Sequence, residues 1–188
     1  MSDFIKNKKN SELYDKISDL PEHLMGQIIN NELVVLKVSP TPRHSYSCSA
    51  LMSKLSNKFD KNTSNGWWIL PKTEVYLSNQ LLVPYMAGWK KNKMKHLPDE
   101  NYISKAPDWV CEFISPQSSY YDRFVKIKLY AQLKIPFYWI VDPQAKTLEV
   151  FALEGERWIL NSSFGKDDKV SAEPFDAIEF DLGDLWAD

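Results

Sequence analysis

The chain has almost no cysteine. Its two thiols, Cys48 and Cys111, stand far apart in 188 residues and form no CxxC pattern. That arrangement points to two reduced, buried thiols and argues against a zinc site. Long apolar runs are missing too. No stretch approaches the ~18 consecutive apolar residues that a membrane helix needs. The opening MSDFIKNKKNSELYDKISDL also lacks the apolar segment of a signal peptide. A cytoplasmic protein with no membrane partner is expected. Nor is there an excess of one charge: 23 Lys and Arg against 25 Asp and Glu leave a net charge of −2. Nucleic acid would have to be held by a local basic patch, because the overall field exerts no pull on it. Internal repeats and low-complexity linkers are likewise absent.

What is present describes a folded domain. Hydrophobic residues make up 44% of the chain, and nine Tyr, nine Phe and seven Trp argue against disorder. A chain of this length removes roughly 70% of its unfolded surface on folding, enough for a core without staples. One domain over 21–188 is expected, preceded by a polar leader or short helix over 1–20.

Hydrophobic patterning outlines the elements. GQIINNELVVLKVS (26–39) has two short apolar runs around Asn30-Asn31, a pair that tolerates positive φ and suits a tight hairpin turn. In 43–62, Tyr46, Ala50, Leu51, Leu55 and Phe59 recur at helical spacing. Strands are predicted at 67–70, 73–77, 81–88 and 107–114, with a basic loop between the last two. A helix is predicted over 120–134 from Phe124, Ile127, Ala131 and the Leu129/Leu133 pair, with Asp122 as N-cap. IPFYWIVD (135–142) is continuously apolar, hence a strand covered on both faces. TLEVFAL and RWIL alternate as in an antiparallel meander. The order implies a mixed α/β sheet with helices on its faces and added hairpins.

The segment 106–153 carries the chemistry. As a strand, 107–114 turns Asp108, Val110 and Glu112 to one face and Trp109, Cys111 and Phe113 to the other. A glutamate in such a strand needs a cationic partner, because burial strips its hydration. Asp122 and Lys126 share a helix face at i,i+4 and could supply that partner. A structural Glu–Lys pair and an active site are both compatible with this pattern.

Pro107, Asp108, Glu112, Ser115 and Pro116, then Asp122, Arg123, Lys126 and Tyr130, then Trp139, Val141, Asp142 and Pro143 stand in a joint register. Together with PRH (42–44), GWWIL (66–70) and AEPFDAIEFDLGDLW (172–186), that register resembles the Uma-two family of restriction-endonuclease-like proteins. The likeness covers nearly the whole chain after about residue 20. It implies a PD-(D/E)XK nuclease fold and metal-assisted phosphodiester hydrolysis, with carboxylates holding Mg²⁺ or Mn²⁺. By resemblance Glu112 is the half-motif acid and metal ligand. Ile114 stands where that half-motif has its lysine, and Lys126 matches the relocated one, placed to offset developing negative charge. Asp108 spells the family's "PD" but sits on the same strand as Glu112, whereas a nuclease's first aspartate lies on the preceding strand.

On that preceding strand the family has V-P-D-aliphatic-A-G-W, and this chain has Val83-Pro84-Tyr85-Met86-Ala87-Gly88-Trp89. Tyr85 thus stands where the resemblance places a metal-binding aspartate, and its ring is expected to fill the ion's space. Near the hairpin's start Gln27 replaces a family glutamate, keeping shape but losing charge. Lys90, Lys91, Lys93 and Lys95 form a basic loop expected beside the site, and Lys128 adds charge from the helix. These lysines and His44 are candidate DNA contacts, with solvated surface as the alternative. Trp67, Trp68 and Trp89 are core residues or base-stacking platforms.

Two functions from different classes stay open. One is a Mg²⁺- or Mn²⁺-dependent DNA endonuclease, with Glu112 and either Asp122 or Glu74 completing the metal shell. The other is a non-catalytic nucleic-acid-binding or protein-interaction module on a nuclease scaffold, without a cofactor. A homodimer is compatible with both.

Overall fold

The computed structural model describes residues 8–37, 40–59, 65–116 and 118–187. The start of the predicted leader (1–7), the end of the first hairpin (38–39) and the end of the predicted first long helix (60–62) lie outside the described residues.

Helix α1 (Lys8–Ser18) precedes a hairpin of β1 (Leu24–Ile29) and β2 (Glu32–Lys37). Asn30 and Asn31 both take positive φ, 53° and 62°, as a two-residue turn between right-twisted strands requires. After α2 (Pro42–Phe59) come β3 (Trp67–Pro71), β4 (Glu74–Leu77), β5 (Gln80–Leu82), β6 (Met86–Lys90), β7 (Tyr102–Ile103) and β8 (Trp109–Phe113). A π-helical stretch (Tyr121–Lys126) runs into α3 (Ile127–Gln132) and leads to β9 (Phe137–Asp142). β10 (Thr147–Glu154) and β11 (Arg157–Gly165) form the expected meander, followed by the short pair β12 (Lys169–Val170) and β13 (Phe180–Asp181).

Six strands form the main sheet in the order β11-β10-β9-β8-β6-β3. Only β8 and β9 run parallel within it, joined through the helical segment as a parallel crossover demands. On one face, Trp109, Cys111 and Phe113 of β8 meet Leu51 and Leu55 of α2 and Phe175, Leu182 and Leu185 of the C-terminal segment. On the other, Val110 and Ile114 meet Leu129, Tyr130 and Ile135. Trp89, Trp109 and Trp139 are fully buried, each worth about 1.5–3 kcal/mol or more of burial free energy. A second sheet, β2-β1-β5-β4-β7, packs Val75, Leu82 and Ile29 into that same second core. No helix among the described residues is long and apolar enough to cross a membrane.

Four expectations need correction. The predicted strand 81–88 is two strands in different sheets, β5 and β6. Pro84 lacks an amide hydrogen and cannot continue a ladder, so the chain changes sheets across Val83-Pro84-Tyr85. Asp122 is not an N-cap: the helical segment begins at Ser119, and the Asp122 amide already bonds back to the Ser118 carbonyl at 3.0 Å. Phe124 does not join the core and is 57% exposed. The wider π turn points Asp122 and Lys126 inward in its place. Tyr46 likewise faces outward from α2.

Gly26 shows how α1 is seated. A Cβ there would lie 2.5 Å from Ile17 Cγ1 and 3.0 Å from Leu20 Cδ1, so the helix rests directly on the β1 backbone. Gly26→Ala should lower unfolding stability by about 1–3 kcal/mol through overpacking, read from urea melts. Adding Ile17→Ala should recover part of that loss, because the two changes share one space.

Candidate functional site

Glu112 sits in the middle of an apolar strand with no solvent exposure. Alternation along β8 forces its side chain to the α3 face, between those of Val110 and Ile114. The π turn answers it. Lys126, also buried, places Nζ 2.9 Å from Glu112 Oε1 and 3.1 Å from Asp122 Oδ1. The Tyr130 hydroxyl donates to the same Glu112 oxygen at 2.6 Å. The other oxygen, Oε2, accepts the Tyr85 backbone N–H at 3.2 Å. Both carboxylate oxygens of Glu112 are therefore engaged by protein donors.

Gln27 is anchored from the next strand over. Its Oε1 accepts the Val83 N–H at 3.0 Å. Since Pro84 has no N–H, the 83–85 crossing offers one amide to Gln27 and one to Glu112. The Val83 bond fixes the orientation of the Gln27 amide, because turning it over would set two donors against each other. Its Nε2 is left buried without a hydrogen-bond partner. Asp122 mirrors this: it lies within ion-pair distance of Lys126, yet neither of its oxygens receives an aligned hydrogen bond.

Burial pushes the Glu112 carboxyl up to about 7, against the opposing pull of Lys126 and with a further upward push from Asp122. The direction follows from lost hydration: burial disfavours the charged carboxylate by more than the nearby ammonium favours it, and Asp122 adds to the rise. Lys126 is held above the ordinary lysine value; burial opposes its charge, but Glu112 and Asp122 outweigh burial.

The Tyr85 ring does not fill the space beside Glu112. It leans toward the α2 face, with its centroid 4.9 Å from His44 and 5.8 Å from Phe113. Only its backbone meets the glutamate. Burial raises the phenol above its usual value, so it is neutral at pH 7. His44 is buried with Nε2 3.2 Å from the Phe113 carbonyl, and burial lowers its proton affinity. It serves as a structural pin between α2 and β8.

Other candidates lie elsewhere. Lys90, Lys91 and Lys93 sit at the far end of β6 from Tyr85. Lys90 and Lys91 lie over the rings of Trp67 and Trp68, at 5.4 and 3.9 Å, and Lys93 pairs with Asp108. Asp108 also accepts the Lys90 N–H at 2.9 Å, so it ties down that loop. Trp67 and Trp89 are buried in the core. Lys128 is exposed on α3. Glu74 is half-buried in the second sheet and accepts the Tyr14 hydroxyl at 3.1 Å.

The residues that sequence reasoning missed surround Tyr85. Three adjoining cavities, of about 500, 40 and 280 Å³, all have Tyr85 in their walls. Their cations are Lys37, Arg43, Lys72 and Lys146, and among the described residues no Asp or Glu lines any of them. These four come from separate points of the chain, so no charge run announces them.

Do these residues fit a divalent metal? Magnesium wants carboxylate and water oxygens in near-octahedral array. Glu112 has given its oxygens to Lys126, Tyr130 and the Tyr85 amide, and Gln27 is neutral with its oxygen on Val83. Among the described residues no group of three His, Cys, Asp or Glu side chains is arranged to hold an ion. The set present does not fit a resident Mg²⁺ or Mn²⁺.

A mixed sheet carrying a buried Glu–Lys pair opposite a two-sheet crossing defines a restriction-endonuclease-like α/β scaffold. Residues 12–183 match the Uma2 family, described as "Putative restriction endonuclease", and the chain belongs to that family. Among solved structures it is similar to "a putative nuclease belonging to DUF820 from Anabaena variabilis ATCC 29413". That likeness has a TM-score of 0.68 at 18% identity, covers 91% of this chain and 95% of that one, and concerns the fold alone. A search of curated proteins gives no match.

The ionisation of Glu112 yields a test. A carboxyl raised from its ordinary 4.5 to about 7 contributes most to stability while protonated. That contribution is present below about pH 4.5 and is lost as pH rises through about 7. The stability of wild type relative to Glu112→Gln should therefore fall by about 3 kcal/mol across that window. Carboxyl NMR should show a glutamate titrating near neutrality that disappears in the variant.

Proposed function

We propose that this chain is a nucleic-acid-binding module on a nuclease scaffold, in which the hydrolytic centre has become a structural ion pair. The observation that carries this reading is the closed shell around Glu112. An active metal site needs carboxylate oxygens turned toward the ion, and here they are turned toward Lys126, Tyr130 and a backbone amide. The resemblance puts family carboxylates at positions 85 and 27, where this chain has a tyrosine and a glutamine. A buried ion pair of this kind is costly to break by removing one partner, by about 3–5 kcal/mol, which is reason enough to retain it without catalysis.

Nucleic acid enters through the family and through charge. Lys37 and Lys72, both exposed, line the cavities at Tyr85 and put basic side chains at the end of the sheet where the family's chemistry belongs. Binding of this kind is driven by counterion release, so its logarithm should fall with the logarithm of salt concentration by about 0.9 for each phosphate contacted on duplex DNA.

One observation favours a second reading, a metal-dependent endonuclease. Asp122 is buried with two oxygens that receive no aligned hydrogen bond, beside a retained Glu–Lys pair. A rearranged Glu112 and Asp122 could then share an ion.

A plasmid assay with Mg²⁺ and with Mn²⁺ separates the two. The expected outcome is salt-sensitive DNA binding by wild type with no more cleavage than Glu112→Gln. Cleavage by wild type that Glu112→Gln abolishes would establish the second reading. If restoring the family residues with Tyr85→Asp and Gln27→Glu yields metal-dependent nicking absent from wild type, the loss of function is located at those two positions.

A further inference from the structure

One face of α2 carries a second cluster, apart from Glu112 and its partners. His44, Cys48 and Met52 follow one another at four-residue steps, so their side chains share one stripe of the helix. Met86 of β6 meets that stripe from the sheet, and all four side chains line the cavity of about 280 Å³ beside Tyr85. The donors gathered there are one imidazole, one thiol and two thioethers.

The imidazole is held as a metal ligand's would be. The Phe113 carbonyl can only accept, so its 3.2 Å contact fixes the ring proton on Nε2. Nδ1 is then a lone pair, and burial lowers the ring's proton affinity and keeps it so. Nδ1 lies 3.7 Å from Cys48 Sγ. Metal bonds of about 2.3 Å to sulfur and 2.0 Å to nitrogen, opened by about 110–120°, set two such donors about 3.5–3.7 Å apart. A ligating histidine commonly donates its other N–H to a backbone carbonyl in this way. Lys72, in the same lining, favours the Cys48 thiolate and disfavours a charged His44.

The sulfurs decide which ion. Zn²⁺ takes four nitrogen, thiolate or carboxylate ligands, and among the described residues no three His, Cys, Asp or Glu gather for it. Thiolate and thioether ligands select Cu⁺, and imidazole suits copper as well. Met86 is buried in the wall. Met52 is half-buried, with its Sδ accepting the Ser56 hydroxyl at 3.2 Å, and its three rotatable bonds let that sulfur turn into the cavity. We propose that His44 Nδ1, Cys48 Sγ and the sulfurs of Met52 and Met86 form a binding site for Cu⁺. Burial pushes the Cys48 thiol up to about 12, so it carries a proton until an ion displaces it. Cu⁺ takes the place of that proton, which leaves to solvent, and no electron is transferred. The site is independent of the nucleic-acid reading above.

Anaerobic titration of the full chain with Cu⁺, in competition with a chromophoric Cu⁺ chelator, tests the site. The expected result is one Cu⁺ per chain, an ultraviolet thiolate-to-copper charge-transfer band, and a shift of the His44 Nδ1 resonance in nitrogen NMR. An equal amount of Zn²⁺ should not displace the copper. Cys48→Ala should weaken binding by at least about tenfold and abolish the band. Met52→Leu/Met86→Leu, which nearly conserves volume, should weaken it by about tenfold with an unchanged circular dichroism spectrum. Met52→Leu alone, at a half-buried position, should act in the same direction and serves if the pair disturbs folding. The proposal is overturned if Cu⁺ does not bind, or if binding survives Cys48→Ala undiminished. Binding unchanged in both methionine variants, or an unmoved His44 resonance, would reduce the site to a simple thiol adduct and overturn it too. Displacement by an equal amount of Zn²⁺ would contradict the choice of ion.

Discussion

The ammonium of Lys126 lies 2.9 Å from a glutamate oxygen in a place no water reaches, and the geometry of the sheet's functional end follows from keeping that contact satisfied. A carboxylate in the middle of an apolar strand loses its hydration, so every lone pair in use has to be met by a protein donor. Lys126 and Tyr130 meet one oxygen, and the Tyr85 amide meets the other. To deliver the first two, the helix after β8 opens into a π turn that points Asp122 and Lys126 inward and releases Phe124 to solvent. To deliver the third, the chain crosses between sheets at Val83-Pro84-Tyr85, with proline interrupting the ladder there.

The same crossing sets what lies outside. With its amide committed to Glu112, Tyr85 directs its ring toward His44 and Phe113, where it becomes a wall common to three cavities. One residue thus separates a dry, closed ion pair from an open cleft lined by cations. On the proposed reading those two regions have separate roles. Here Gln27 holds Val83 with its oxygen and leaves its amide nitrogen unpaired, a donor where a cation would need an acceptor.

Much of this was legible in the sequence. The Asn30-Asn31 hairpin, the α2 helix, the buried β9 strand and the terminal meander follow from turn chemistry and periodicity. Glu112 and Lys126 could be paired by the requirement that a buried acid find a cation. What could not be read has physical causes. A π turn shifts helical register, so counting by three and four put Phe124 inside and made Asp122 a cap. Proline at position 84 signals a break, but not that the chain changes sheets there. The basic loop 90–95 drew attention as a charge run, yet its lysines cover tryptophans and hold Asp108. The cations that do converge, Lys37, Arg43, Lys72 and Lys146, are scattered in sequence, and only the fold assembles them.

On the proposed reading Glu112 belongs to Lys126 and not to a metal. Crystals grown with excess Mn²⁺ and measured for anomalous scattering test it most directly. No manganese peak is expected within bonding distance of Glu112, with Lys126 Nζ still paired to its carboxylate. A peak bridging Glu112 and Asp122, with the lysine displaced toward a bound water, would contradict it.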